Sequence, residues 1–214
     1  MTPLVAAFAA AGLVLGFAAD RLATRWPAHD EDESPAGRPI GWRTAVCAAV
    51  GAFAFGLVPA RFGGDPLAMA VFSAWFATLV VGLATDLDQR LLPNVLTLPV
   101  IPLALAYALS GRNPLVGGEL LPAIAVAVLV PAVLYVASIP FGAGAFGLGD
   151  VKLLAGVGLM EGAIRAFTGL VSGLFAAGLV LAVLLATRRV TLKSYVPYGP
   201  FLIFGAIWGI FVRP

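Results

Sequence analysis

Charge is scarce in this sequence. Only 11% of its 214 residues are Asp, Glu, Lys or Arg, whereas 61% are hydrophobic. Soluble domains carry about 25% charged residues, so this composition excludes an ordinary soluble protein and indicates a membrane protein. The longest polar stretch, 20–43, is too short to form a separate soluble domain with its own core. We therefore expect one membrane-embedded domain over 1–214.

Cysteine and histidine are almost absent, since Cys47 and His29 are the only ones. A single cysteine excludes an intrachain disulfide and a thiolate metal site, and Cys47 lies in an apolar run that suits a small buried side chain. His29 lies among acidic residues of the polar stretch 20–43. No Ser/His or Cys/His nucleophilic set is therefore indicated. We expect no bound metal and no nucleic-acid partner.

Long apolar runs are what the sequence does contain. A hydrocarbon core about 30 Å thick needs roughly 20 residues of helix. Seven apolar runs meet or approach this length. An eighth, 151–164, is short and glycine-rich, but a crossing there is needed to give the two flanking spans consistent orientations. Because no alternating strand pattern is visible, we expect an all-α polytopic membrane helix bundle of about eight spans. The predicted spans are 3–19, 44–60, 67–85, 95–110, 120–141, 151–164, 166–187 and 198–212.

Lysine and arginine are unevenly divided between the predicted loops. With the N-terminus outside, nine of the 13 lie in inner loops and four in outer ones. Since cytoplasmic loops are enriched in Lys and Arg, both termini are expected outside. This orientation places two short polar strings, at 86–94 and 147–152, on the cytoplasmic side.

The first polar string, DLDQRLLPN at 86–94, follows the third predicted span. An ionised aspartate is costly beside a membrane-length helix, about 2.5 to 3.5 kcal/mol at the helix centre. Positions i and i+2 point to different sides, so only one of Asp86 and Asp88 faces a given partner, and the other lies toward the interface near Arg90. Pro93 is expected to end the helix, and Asn94 to cap the next one. An ordinary helix end exposed to water explains this string equally well.

The second polar string, GLGDVK at 147–152, precedes the short glycine-rich run. Gly147 and Gly149 allow close approaches that a Cβ would block. Asp150 would then cap the following helix and lie at its positive end, while Lys152 reaches toward the interface. Taken alone, the string is explained by a glycine-rich turn with a capping aspartate.

Together the two strings predict paired carboxylate chemistry. Two carboxyl groups that meet share a proton, so that one acts as a base toward water while the other polarises a peptide carbonyl. Asp86 lies near a helix C-terminus and Asp150 near an N-terminus, so Asp150 is expected to start as the base and Asp86 as the acid. Two alternatives stay open: a membrane transporter that uses both acids as a proton or cation relay, and an inactive assembly subunit.

Three stretches of the sequence resemble the type IV prepilin peptidases, which are membrane aspartyl proteases of the Gly-x-Gly-Asp group. They are the two polar strings and the segment VPYGPFL at 196–202. The resemblance implies an enzyme that cleaves the basic leader of prepilin-like proteins (pseudopilins included) at the cytoplasmic face of the bacterial inner membrane. It also implies that Asp86 and Asp150 are the catalytic pair, Asp88 is a bystander, and Gly147 and Gly149 shape the loop at Asp150.

The N-terminal part departs from the long form of this family. That form often carries two zinc-binding Cys-x-x-Cys pairs in its cytoplasmic loop, whereas 20–43 has no cysteine. The resemblance therefore implies no zinc, and proteolysis by aspartates requires no cofactor. Many members also methylate the new N-terminus with S-adenosylmethionine, and the sequence leaves that activity open. It does not name the prepilin substrate.

Overall fold

A computed structural model of the protein describes residues 2–28, 37–141, 146–191 and 198–211. All the regular secondary structure in these ranges is helical. No strand occurs in these ranges, so the predicted all-α fold is confirmed. His29 and residues 196–197 of the third motif lie outside them. A 3-10 turn, Ile139–Phe141, follows α6. The helices are α1 (Pro3–Ala23), α2 (Trp42–Phe62), α3 (Pro66–Gln89), α4 (Asn94–Thr97), α5 (Val100–Leu109), α6 (Leu120–Ser138), α7 (Leu148–Glu161), α8 (Ala163–Ala186) and α9 (Gly199–Phe211).

Five of the helices, α1, α2, α3, α6 and α8, are long and apolar enough to cross a membrane. They coincide with five of the predicted spans. Large apolar side chains on α6 and α8 are exposed, as for Leu121 at 79% and Phe175 at 75%. Such surfaces suit lipid rather than water, because soluble proteins rarely expose extended apolar patches. The described helices are therefore those of a multi-pass membrane protein.

The other three predicted spans are shorter helices. The span predicted at 95–110 is divided into α4, with 4 residues, and α5, with 10. The spans at 151–164 and 198–212 correspond to α7, with 14 residues, and α9, with 13. At 1.5 Å per residue even α7 is only about 21 Å long, short of a hydrocarbon core. The eight-span topology and the outward N-terminus therefore stay predictions.

The chain divides into two compact units, Met1–Leu96 and Thr97–Pro214. The first unit contains α1, α2 and α3, and the second contains α5 to α9. The string 86–94 belongs to the first unit and the string 147–152 to the second. The expectation of a single peptidase domain over 1–214 stays a prediction.

In the first unit, α1 and α2 meet backbone to backbone at a pair of glycines. A Cβ added to Gly12 would lie 2.1 Å from the carbonyl oxygen of Gly51, and one added to Gly51 would lie 2.2 Å from that of Gly12. Only glycine permits this approach, as at other small-residue crossings of membrane helices. Aromatic side chains complete the core, since Phe62 stacks on Phe72 with ring centroids 4.2 Å apart.

In the second unit, α8 and α9 cross in the same way. A Cβ on Gly169 would lie 2.4 Å from the carbonyl oxygen of Gly205, and one on Gly205 would lie 2.3 Å from that of Gly169. The helix α7 packs on α6 at Gly158, where a Cβ would lie 2.7 Å from the Cα of Ala127. The position of α7 therefore depends on a glycine contact in its middle.

The C-terminal end of α7 is held by a buried asparagine. Asn113, 1% exposed, donates from Nδ2 to the carbonyl oxygen of Met160 at 3.0 Å and accepts the N–H of Leu115 at 2.9 Å. Gly162 then turns the chain into α8 with a φ of 77°, in the left-handed region that favours glycine. With both its middle and its end held, α7 gives a fixed support to the residues at its start.

Candidate active site

Asp86 lies in the last turn of α3 and is only 5% exposed. The helix ends at Gln89, before it reaches Pro93. Arg90 closes it in the left-handed conformation, with a φ of 55°, and donates its N–H to the carbonyl oxygen of Asp86 at 2.9 Å. A left-handed residue after the last turn is a common way to satisfy a helix C-terminus, although usually glycine takes this place. Asp86 is thus a buried acid at a helix end.

Asp88, which we expected to be a bystander near Arg90, is held by two arginines from elsewhere in the chain. Its Oδ1 lies 3.1 Å from Nε of Arg38 and 3.2 Å from Nη1 of Arg43, and its side chain is 2% exposed. Two residues correspond to about 200° around a helix, so Asp86 and Asp88 leave α3 on different sides. Asp88 therefore fastens the end of α3 to the segment that leads into α2.

Sequence reasoning missed a third acid, Asp20, which is fully buried in α1. Its Oδ2 accepts hydrogen bonds from the hydroxyl of Thr44 at 2.7 Å and from Nε of Arg21 at 3.1 Å. Its Oδ1 accepts a hydrogen bond from Nη2 of Arg38 at 2.6 Å. The available signal was an acid and a base in succession at the end of an apolar run. We call Asp20, Arg21, Arg38, Arg43, Thr44 and Asp88 the arginine–aspartate cluster.

The segment after α3, residues 91–93, has no regular secondary structure and is partly buried. Leu92 is 7% exposed and Pro93 is also buried. We predicted that Asn94 caps the next helix, but Asn94 is itself the first residue of α4. The carbonyl oxygen of Pro93 accepts the N–H of Leu96 at 3.0 Å, so the proline occupies the position before the helix. The N-cap assignment of Asn94 was wrong, because the proline ring already sets the backbone for this start.

Asp150 lies in the first turn of α7, but it is the third residue of the helix and not its N-cap, a position that Gly147 occupies instead. The helix begins at Leu148, and Oδ2 of Asp150 accepts the N–H of Gly147 at 3.3 Å. This is the returning half of a capping box, in which the third residue of a helix binds the N–H of the residue before it. Among the described residues, the side-chain partner of Asp150 is this backbone N–H.

The helix start does not make Asp150 a stronger acid than usual. Asp150 lies outside the five helices long enough to cross a membrane. Burial raises its pKa to about 6, and the hydrogen bond from Gly147 opposes only part of that rise. Our expectation from the helix dipole had the opposite direction, because it left out the desolvation of the carboxylate. A pKa near 6 still leaves Asp150 mostly ionised at neutral pH, and suits it to accept a proton there.

Gly147 leaves space beside the carboxylate of Asp150 and does not adopt an unusual backbone conformation. Its φ of −71° and ψ of 144° are accessible to any residue. A Cβ there would lie 3.2 Å from Oδ2 of Asp150, closer than ordinary contact. Gly149 lies in the first turn of α7, and Lys152 is half-buried in the same helix. The roles expected for Gly149 and Lys152 stay predictions.

Comparison with known proteins places the chain among leader peptidases. The model of the type IV leader peptidase family matches residues 74–187, more than half of the chain. A prepilin leader peptidase/N-methyltransferase of Burkholderia pseudomallei is 31% identical over 175 residues, 81% of this chain and 56% of that protein. One of Aeromonas salmonicida is 29% identical over 133 residues, 58% of this chain and 44% of that protein.

A third relative, the type 4 prepilin-like proteins leader peptide-processing enzyme of an Escherichia coli O78:H11 strain, is 30% identical over 152 residues, 70% of this chain and 53% of that protein. The chain spans about half the length of the curated relatives it matches. No solved structure gave a significant match. The matched segment 74–187 contains both polar strings, and the chain belongs to the type IV leader peptidase family.

Proposed function

We propose that this protein is an aspartic endopeptidase that removes the leader peptide of type IV prepilin-like proteins, with Asp86 and Asp150 as its catalytic pair. The observation that carries the proposal is the match of the type IV leader peptidase family to residues 74–187, which contain both acids. The raised pKa of the Asp150 carboxyl, about 6 because of burial, supports it. Perturbed carboxyl groups of this kind are typical of acid–base sites. The names of the relatives support the substrate class.

The proposed mechanism needs one ionised and one protonated carboxyl. Asp150, ionised near neutral pH, accepts a proton from water, whose oxygen attacks the scissile carbonyl carbon. Asp86, at the carbonyl-rich end of α3, stays protonated and donates a hydrogen bond to the carbonyl oxygen. The tetrahedral intermediate then collapses, the peptide C–N bond breaks, and the proton held by Asp150 goes to the leaving amine. No metal takes part in these steps.

The proposed location of this chemistry is the cytoplasmic face of the bacterial inner membrane. Its support is the predicted topology, in which nine of the 13 Lys and Arg residues lie in loops on the same side of the membrane as both polar strings. A prepilin segment that reaches this face from the cytoplasm could meet both acids without crossing the bilayer. The substrates are prepilin-like proteins, and the surrounding medium is lipid.

The test is cleavage of a prepilin-like substrate in membranes by the wild type, Asp86→Asn and Asp150→Asn. Each variant should lose at least about 100-fold in rate, because general acid–base catalysis contributes that much or more. Glu119→Gln is the matched control, since Glu119 is an exposed acid and should keep the wild-type rate. Cleavage by both aspartate variants at the wild-type rate would refute the proposal. Ion flux through liposomes that vanishes with the same variants would instead favour the transporter alternative.

Methylation of the new N-terminus is a separate matter. The relatives from Burkholderia and Aeromonas carry N-methyltransferase in their names. The cleavage assay, run with methyl-labelled S-adenosylmethionine, decides whether this chain transfers a methyl group as well. Label on the cleaved product in the wild type establishes the activity, and its absence restricts the protein to proteolysis.

A further inference from the structure

We propose that the arginine–aspartate cluster is a positioning device for Asp86. The inference rests on the catalytic role proposed for Asp86 and adds a function for charged residues that the dyad does not use. Arg38 and Arg43 contact Asp88 in the last turn of α3, and Arg38 also contacts Asp20 near the end of α1. They act on catalysis through the placement of Asp86, not through contact with the reacting atoms.

The centre of the cluster is one guanidinium group that spans two carboxylates. Nη2 of Arg38 donates to Oδ1 of Asp20 at 2.6 Å, while Nε of Arg38 lies 3.1 Å from Oδ1 of Asp88. The carboxylate side chains are 1% and 2% exposed. Arginine suits this place because its planar, always charged group presents several donors at once. Arg38 thus links the end of α1 to the end of α3.

The segment that this link fastens is the part of α3 that would otherwise move most. The last turn of a helix has carbonyl groups without helical partners, and helix ends fray. Here Asp88 is fixed by two arginines, and the next residue, Gln89, donates from Nε2 to the carbonyl oxygen of Pro27 at 3.1 Å. Asp86 belongs to the same turn, so its direction depends on these contacts.

The charges of the cluster indicate a structural and not a proton-transfer role for its acids. Three arginines, Arg21, Arg38 and Arg43, lie against the carboxylates of Asp20 and Asp88. Removing one partner of a buried ion pair is strongly destabilising, so these acids hold the structure together.

The test compares three variants of the cluster with one outside it. Arg38→Gln and Asp88→Asn should lower kcat about tenfold or more with little change in KM, because small misplacements of a catalytic group are costly. Arg38→Lys should restore only part of kcat, since one ammonium cannot span both carboxylates. Arg25→Gln is the control: Arg25 is exposed, has no side-chain partner among the described residues and should leave kcat unchanged.

Amide hydrogen exchange gives a readout that does not depend on the substrate. The amide of Arg90, which donates to the carbonyl oxygen of Asp86, reports on the last turn of α3. Its exchange should accelerate in Arg38→Gln and Asp88→Asn and not in Arg25→Gln. If the wild type cleaves no prepilin while exchange changes as expected, the proposed function fails and the fastening of α3 stands.

Three outcomes would overturn the inference. Wild-type kcat in Arg38→Gln would show that the cluster does not position Asp86. A lower kcat without faster exchange at Arg90, or a change confined to KM, would place Arg38 in contact with the substrate instead. Should Arg38→Gln fail to fold, Asp88→Asn carries the test, because it removes the negative charge between the two arginines while keeping an oxygen that can still accept from Arg43.

Discussion

The two aspartates of the proposed pair lie in contrasting local surroundings. Asp86 is at the end of a helix whose last turn is fastened through neighbouring residues by ion pairs, with Asp20 and Arg38 at their centre. Asp150 is at the start of a helix, and its described partner is the backbone N–H of Gly147. The first acid is therefore placed by charges distant in sequence, and the second by the cap of its own helix.

The scaffolds of the two units do not explain this contrast. Each unit contains a helix crossing where a glycine on each helix lies against the carbonyl oxygen of the other. The pairs are Gly12 with Gly51 and Gly169 with Gly205. Both crossings follow the small-residue packing expected of membrane helices. The difference lies at two sites: arginines surround the carboxylates of Asp20 and Asp88, whereas burial desolvates the carboxylate of Asp150. Removing the acid should therefore have opposite effects on stability at Asp20 and at Asp150.

The largest stability effect is expected in the first unit. The Asp20 carboxylate is 1% exposed and forms ion pairs with Arg21 and Arg38. Asp20→Ala leaves both arginines without this partner and should lower the free energy of unfolding by about 3 kcal/mol. Unfolding in detergent micelles measures this loss, with Glu119→Ala as the control for an exposed acid. A loss below about 0.5 kcal/mol, the range of surface substitutions, would remove the contrast between the two sites.

A smaller effect of the opposite sign is expected at Asp150. Its pKa is raised from the ordinary 3.8 to about 6, so the folded state binds the proton more tightly than the unfolded chain does. Stability present below pH 4 is therefore lost as the pH rises through 6. Since asparagine does not ionise, Asp150→Asn should be more stable than the wild type at pH 8 by up to about 3 kcal/mol, less the cost of the altered cap at Gly147, with the difference closing near pH 4. Thermal unfolding at both pH values measures it, and equal stability at pH 8 would contradict the desolvation of Asp150.

The smallest effect probes the helix cap directly. Gly147→Ala brings a Cβ within 3.2 Å of Oδ2 of Asp150 on a backbone that alanine can adopt. Cleavage should slow about three- to tenfold through the displaced carboxylate, a loss of roughly 1 kcal/mol. Gly178→Ala, where no atom lies within 4 Å of the added Cβ, is the control in the same unit. Unchanged cleavage in Gly147→Ala would show that the carboxylate moves aside without cost.

What could be predicted from the sequence depended on local signals. Long apolar runs predicted the five long helices, and the glycine–aspartate string placed Asp150 at a helix start, because both patterns act within a few residues. The cap of α4 was predicted wrongly at Asn94, since Pro93 and Asn94 both favour helix starts and only the backbone decides between them.

The rest depended on contacts between distant parts of the chain. Arg38 and Asp20 are 18 residues apart across a polar segment, and Arg43 and Asp88 are 45 apart, so no pattern in the sequence connects them. The direction of the pKa change at Asp150 also required tertiary packing, because the helix start and burial act in opposite directions. Charged residues at the ends of apolar runs, such as Asp20, are the signal to examine for such pairs.

The central claim is that Asp86 and Asp150 act as one catalytic unit, and a double-variant cycle tests it most directly. Cleavage rates are measured for Asp86→Asn, Asp150→Asn and the variant that carries both changes. Residues that act as a unit are strongly non-additive, so the double variant should be no slower than either single variant. A double variant slowed by the product of the two single losses would contradict the account, because the acids would then contribute independently.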